Sequence, residues 1–204
     1  MTRKGDWLQT FTGLQFWPLD PYPEDVCIED IAHALSNICR YGGHSRAFYS
    51  VAEHSVIISD AVLLASRVTT DNHHQMIIYD HNEALRALLH DASEAYLADV
   101  PRPVKPFLKG YMELEHNVEM AIALAFDLDH LESPMIKELD SRILWNERAE
   151  LMTDMGHEWA MHPGGKIHGV WLRYWSPKQA EEAFLKSFVF LQQEVNRERR
   201  EGVL

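Results

Sequence analysis

The chain has 204 residues, 46% of them hydrophobic and 25% charged, with a formal net charge of −12. That length suits one domain with a proper core. So acidic a chain is poorly suited to wrapping duplex nucleic acid, whose binding draws on many lysine and arginine contacts with phosphates. A small anionic substrate stays open, because one metal ion and a few basic side chains reverse the field locally. The two cysteines, Cys27 and Cys39, lack metal-type spacing and read as buried free thiols of a reducing cytosol. No continuous apolar core follows the first residues, so no signal peptide is expected. The longest apolar run, Met120 to Phe126, is too short to span a bilayer. A cytoplasmic protein with no membrane partner is the expectation.

In chain order, Trp7 to Pro23 is rich in aromatics and prolines, with Thr12-Gly13 between the short runs Leu8 to Phe11 and Leu14 to Trp17. This predicts a small hairpin or an irregular arm lying on the core. A helix is predicted from about Glu29 to Arg40, with Ile31, Leu35, Ile38 and Cys39 on one face and Gly42-Gly43 as its stop. The next, from about Ser50 to Arg67, places Val51, His54, Ile58, Ala61, Val62 and Ala65 on one stripe. Residues 68–81 have little pattern and read as a connecting loop. A central helix spans roughly Asn82 to Tyr96, after which Pro101, Pro103 and Pro106 impose a stiff loop. Leu114, Val118, Ala121, Ile122 and Ala125 define the buried face of a fourth helix. Ser133 caps another, opened by Pro134 and expected to run to Gly156. His157 to Trp175 reads as an irregular loop or a short ribbon. The last helix opens on the capping-box pattern Ser176-Pro177-Lys178-Gln179 and buries Ala180, Ala183, Phe184, Phe188 and Leu191. No repeat, low-complexity tract or linker divides the chain. The expectation is therefore an all-α single domain over residues 1–204, with a helical core from about 29 to 200 and an irregular N-terminal arm over 1–28.

Chemistry concentrates in Leu88-Leu89-His90-Asp91-Ala92-Ser93-Glu94-Ala95, which sets an imidazole and two carboxylates among residues that read as a fully buried helix. Buried charges need a partner or a metal. His54 lies in the apolar stripe of its own helix, and Asp140 in the stripe formed by Ile136, Leu139, Ile143 and Leu144. Together His54, His90, Asp91 and Asp140 offer two nitrogens and at least two oxygens from three helices. With no thiolate, that set suits one divalent ion per chain (Zn, Mn, Co, Fe or Mg) and leaves positions open for water or substrate. Of the twelve histidines, His73, His74, His81, His130, His157, His162 and His168 sit in loop-like stretches and read as ordinary.

The spacing carried by His54, His90-Asp91 and Asp140 resembles the HD-domain superfamily of metal-dependent phosphohydrolases, an all-helical fold. The segment His90-Asp-Ala-Ser-Glu94-Ala-Tyr-Leu-Ala-Asp99-Val-Pro-Arg-Pro-Val-Lys105 is similar to the bacterial 5'-deoxynucleotidase branch. The resemblance runs from about Ile31 to Leu144. It implies a single HD-domain helical bundle in which Glu94 and Asp99 act beside the metal. A divalent ion lowers the pKa of a bound water and draws charge from a phosphoryl oxygen, and a neighbouring carboxylate can then carry the protons. Glu94, one turn after His90 in the expected helix, has the alternative role of orienting His90 or binding a second metal that arrives with substrate phosphates. Arg40-Tyr41 resembles the Arg-Trp pair that binds phosphate and packs on the sugar in the deoxynucleotidases, with Tyr in place of Trp. Lys105 joins Arg40 as a candidate phosphate contact.

The resulting expectation is hydrolysis of phosphate from a small nucleotide, most simply a deoxynucleoside 5'-monophosphate, by a chain that can form a homo-oligomer, a dimer first. Triphosphate removal of the dATP type is the alternative reaction. A non-catalytic, nucleotide-sensing metal module is the alternative of another class.

Overall fold

The computed structural model of the chain describes residues 3–65, 67–71, 74–157, 159 and 161–202, with the backbone alone for 67–71 and 74–78. Strand β1 (Leu8–Gln9) pairs antiparallel with β2 (Gln15–Phe16), so the arm begins as a hairpin. It docks through Phe16, fully buried and stacked on Tyr96 at 3.7 Å between centroids, and through Asp30, whose carboxylate accepts from the Thr12 amide at 2.6 Å and hydroxyl at 2.9 Å. Phe16 thereby joins the same apolar cluster as the helices.

Helix α1 (Ile28–Asn37) ends before its expected limit. Ile38 and Cys39 turn extended because Cys39 pairs across an antiparallel bridge with Ser50, with Arg40 donating to the Tyr49 carbonyl at 2.9 Å and Val51 to that of Ile38 at 3.1 Å. This pairing ends the helix, so Gly42-Gly43 is not its stop. Both cysteines are free and only partly buried.

Helix α2 (Val51–Leu64) is capped by the Ser50 hydroxyl, which accepts from the Glu53 amide at 3.1 Å. Every side chain from Val51 to Ser59 is buried, which makes α2 the centre of the bundle. The segment expected to be a patternless loop holds strands β3 (Arg67–Asp71) and β4 (His74–Ile78), registered from Arg67 opposite Ile78 to Asp71 opposite His74. The β-branched residues Val68, Thr69, Thr70, Ile77 and Ile78 favour that pairing. His73 lies outside the described residues.

The expected central helix is broken into α3 (His81–Leu89) and α4 (Glu94–Leu97). The His90 imidazole binds the Ala87 carbonyl at 2.8 Å, competing for the acceptor that an unbroken helix offers to the Asp91 amide. The chain tightens there, with Ala92 donating to Leu89 at 2.9 Å and Glu94 to Asp91 at 3.0 Å. His81 is not in a loop: it opens α3, buried, with its ring 2.6 Å from Glu198.

Helix α5 (Tyr111–Ala125) buries Glu115, Val118, Ala121, Ile122 and Ala123, so its inward face is turned slightly from the expected one and includes a carboxylate. Helix α6 (Pro134–Leu151) has the expected Ser133 cap and Pro134 start but stops short of Gly156, where the Arg46 amide takes the Leu151 carbonyl at 2.9 Å. Helix α7 (Pro177–Glu201) carries the full capping box and packs on α1, α2 and α3, while α2 also meets α6 and α1 meets α4. Among the described residues the fold is thus mostly helical, with two small antiparallel strand pairs. No helix among the described residues is long and apolar enough to cross a membrane.

The described part of residues 152–175 has no strand and is held by side chains reaching out from the fixed helices. Asn146 bonds both the amide of Ile167 at 3.0 Å and its carbonyl at 3.1 Å, Trp145 donates to the His162 carbonyl at 2.8 Å, and Arg148 to that of His157 at 2.6 Å. From α2, the fully buried Glu53 carboxylate accepts the amides of Arg173, Tyr174 and Trp175 at 2.6, 3.0 and 2.8 Å.

Candidate metal centre and its cleft

Three elements deliver the expected donors to one place: α2 brings His54, the turn between α3 and α4 brings His90 and Asp91, and α6 brings Asp140. Nε2 of His54 lies 3.3 Å from Asp140 Oδ1 and 3.6 Å from Asp91 Oδ2, and Nε2 of His90 lies 3.2 Å from the same Asp91 oxygen. One donor atom each from His54, His90 and Asp140 falls within 4.8 Å of the others, a group that could hold a metal ion.

The opposite ring nitrogens orient the two rings. His54 Nδ1 is 2.8 Å from Glu147 Oε1, and His90 Nδ1 is 2.8 Å from the Ala87 carbonyl. Both partners accept only, so each Nδ1 carries a proton, and each Nε2 is left facing the carboxylates, where it holds either a second proton or a metal ion. Both Nε2 atoms are buried and lack a hydrogen-bond partner. Two buried imidazole nitrogens without a hydrogen-bond partner, set beside two carboxylates, form a donor set that fits a divalent cation. The field agrees with that sign. Burial opposes ionisation of Asp91 and Asp140, yet the imidazoles hold both carboxyls well below the usual range, assisted at Asp91 by Arg40. At His90 burial pulls the other way, but Asp91 and Asp140 outweigh it and raise the ring to about 9. The cluster attracts a positive charge, whether proton or metal.

Two of the donors, Asp91 and Asp140, line a cleft of about 550 Å³, whose walls also include Arg40, Tyr41, Glu94, Asp99, Arg102, Lys105, Leu144 and Trp159, with His54 and His90 buried behind them. All four expected metal ligands are therefore brought together, and Glu94, Asp99, Arg40, Tyr41 and Lys105 all reach the same cavity or its rim. Glu94 does so from the first position of α4, not from a continuous helix. Its side chain is buried, Oε2 has no hydrogen-bond partner, and Lys105 Nζ stands 4.0 Å from Oε1. Burial, then the charges of Asp91 and Asp99, push its carboxyl well above the ordinary value against the pull of Arg40 and Lys105.

Two basic residues are more tightly held than the sequence implies. Arg40 is nearly buried, 3.4 Å from Asp91 and 3.5 Å from Glu147, and Lys105 is fixed by Glu115 at 2.8 Å. Arg102, 70% exposed, reaches Asp140 at 3.0 Å over the cleft mouth. Tyr41 donates its hydroxyl to Glu147, and its ring packs partly into the core. It is an anchored wall of the cleft.

Three residues of this site were not picked out from the sequence. Glu147 is fully buried and receives His54, Arg40 and Tyr41 on one carboxylate, held at about 2 because Arg40, His54 and Tyr41 overcome the burial that would raise it. It follows Ile143 by four residues in the very stripe that exposes Asp140 to the centre, and that spacing was the available signal. Glu115 occupies the buried face of α5 with Val118 and Ile122. Trp159, in a loop, carries no periodic signal at all.

No protein-family model matches the chain. It is 35% identical over 157 residues to the uncharacterized protein YfdR of Escherichia coli K12, an overlap covering 77% of this chain and 79% of that protein. An uncharacterized protein of Rhodobacter capsulatus is 37% identical over 128 residues, covering 61% of this chain and 60% of that relative. The chain belongs to the same family as YfdR.

Proposed function

We propose that the chain is a metal-dependent phosphohydrolase of the HD-domain type acting on small nucleotides, most simply releasing phosphate from deoxynucleoside 5'-monophosphates. The observation that carries this reading is the pair of buried Nε2 atoms that face Asp91 and Asp140, two carboxylates lining a cleft whose other walls bear basic side chains and Glu94. A cavity of about 550 Å³ falls within the usual range for small-ligand sites.

A divalent ion bound by His54, His90, Asp91 and Asp140 would supply charge to polarise a phosphoryl oxygen and acidify a water. The chain's own residues do the rest. Arg102, exposed and paired with Asp140 on the rim, swings to an incoming phosphate, while Arg40 and Lys105 supply fixed positive charge behind it. Glu94, whose carboxyl burial and the charges of Asp91 and Asp99 make a tighter holder of protons than an ordinary glutamate, would pass a proton to the departing oxygen. Asp99 faces the same space and raises the proton affinity of Glu94. Glu147 and the Ala87 carbonyl keep both imidazoles in the tautomer that donates through Nε2.

The experiment is a phosphate-release screen over deoxynucleoside mono- and triphosphates and ribonucleoside monophosphates, each with Mn, Co, Mg and Zn. Release of inorganic phosphate from monophosphates supports the proposal, and release of intact triphosphate from a deoxynucleoside triphosphate shifts it to the alternative reaction. Tight nucleotide binding with no turnover under any metal replaces it with a sensing module.

A further inference from the structure

Tyr41 is held in the cleft wall, with its hydroxyl bound to Glu147 and its ring leaning on the core. The other aromatic side chain of the cleft is Trp159, 39% exposed, with its ring centroid 6.1 Å from that of Tyr41. Its position is built. Arg148 donates to the His157 carbonyl at 2.6 Å and sets its guanidinium 5.6 Å from the centroid of the Trp159 indole. Asp140, Leu144 and Arg148 succeed one another at four-residue steps, one face of α6. At 1.5 Å per residue, Arg148 stands about 12 Å along the helix from the metal-facing Asp140. That separation suits a phosphate at one end, a flat ring at the other and a sugar beside the apolar Leu144 between them.

We propose that Trp159 is the platform on which the substrate's nucleobase stacks, so that this cleft selects nucleotides over bare sugar phosphates through a residue outside its metal-binding segment. The proposal rests on reading the cleft as a nucleotide site. Stacking on an indole tolerates any base, because every base has a π face, so the platform selects for the presence of a base and not for its identity.

The test compares the metal-loaded wild type with Trp159→Ala and Trp159→Phe on the best of dAMP, dGMP, dCMP and TMP, and on 2-deoxyribose 5-phosphate. Both KM and equilibrium binding by calorimetry are read. Trp159→Ala should weaken nucleotide binding by about 5- to 100-fold, the usual cost of losing a base-stacking aromatic. Loss for the sugar phosphate should be several-fold smaller, kcat and metal content should hold, and Trp159→Phe should recover most of the nucleotide affinity. Equal losses on both ligands, or none on either, would overturn the platform while leaving the phosphohydrolase reading in place. Nucleotide binding that depends on Trp159 without turnover would support the platform and remove the hydrolase. Failure of every nucleotide to bind removes both.

Discussion

Glu147 on α6 holds His54 of α2 by a 2.8 Å contact between Oε1 and Nδ1, with both side chains wholly buried. The other oxygen of the same carboxylate takes Arg40 and Tyr41, so a single group aligns a candidate metal ligand and one wall of the cleft. Glu147→Gln preserves the volume but removes the charge. Loss of such a partner to a ligating histidine costs metal affinity by about 10- to 100-fold, and competition against a chromogenic chelator should show a drop of that size. Because Arg40 then keeps Asp91 alone as a close carboxylate partner, thermal unfolding should also move to lower temperature. An affinity equal to wild type would show that His54 is oriented by its helix alone.

Ligands and proton carriers should separate cleanly. Asp91→Ala should lose the tightly held metal, expected at about one equivalent per chain, together with activity. Glu94→Ala should keep metal and fold yet lose roughly two to four orders of magnitude in turnover, with little change in substrate affinity. Metal analysis, circular dichroism and steady-state kinetics on the same preparations decide it. A folded, metal-loaded Glu94→Ala protein within a few-fold of full activity would pass the proton role to Asp99.

On α5, burial, followed by Glu115 and Glu132, raises the Glu119 carboxyl to about 7, with Lys105 only partly offsetting them. The folded state therefore holds this proton more tightly than the unfolded chain. The associated stability is fully present below the unfolded value near 4.5 and is lost as pH rises through about 7. Glu119→Gln removes that loss. Urea unfolding should find the variant gaining on wild type between pH 5 and pH 8 by about 1 kcal/mol, a small figure because the carboxyl keeps some contact with water. A difference that is flat across this range would contradict the assignment.

The N-terminal arm contributes to the core through Phe16, fully buried and stacked on Tyr96. Phe16→Ala should cost about 3–5 kcal/mol, the range for removing a buried aromatic ring. Because Tyr96 lies in α4, which Glu94 opens, the loss should also reach catalysis. Denaturant titration measures the first effect, and activity at a temperature where the variant is folded measures the second.

That His54, His90, Asp91 and Asp140 converge was legible because a buried donor must share the period of its apolar neighbours: His54 and Asp140 stand in stripes of helical spacing, and His90-Asp91 interrupts a run of leucine and alanine. Helix starts at Ser50, Ser133 and Ser176 were equally plain, since a cap is a local hydrogen bond. Where α1, α3 and α6 end was decided by partners distant in sequence or by side-chain competition, namely the Cys39 bridge to Ser50, the Arg46 amide and the His90 imidazole. Glu147 was available in principle from the stripe it shares with Ile143, but only packing shows that one carboxylate serves three residues from two other segments. Trp159 reaches the cleft because Arg148, Asn146 and Trp145 bind the backbone of an irregular loop. Local sequence carries the periodicity that buries a face and the hydroxyls that cap a helix. Contacts between residues far apart in the chain carry no period, and those contacts set the width of the cleft and what lines it.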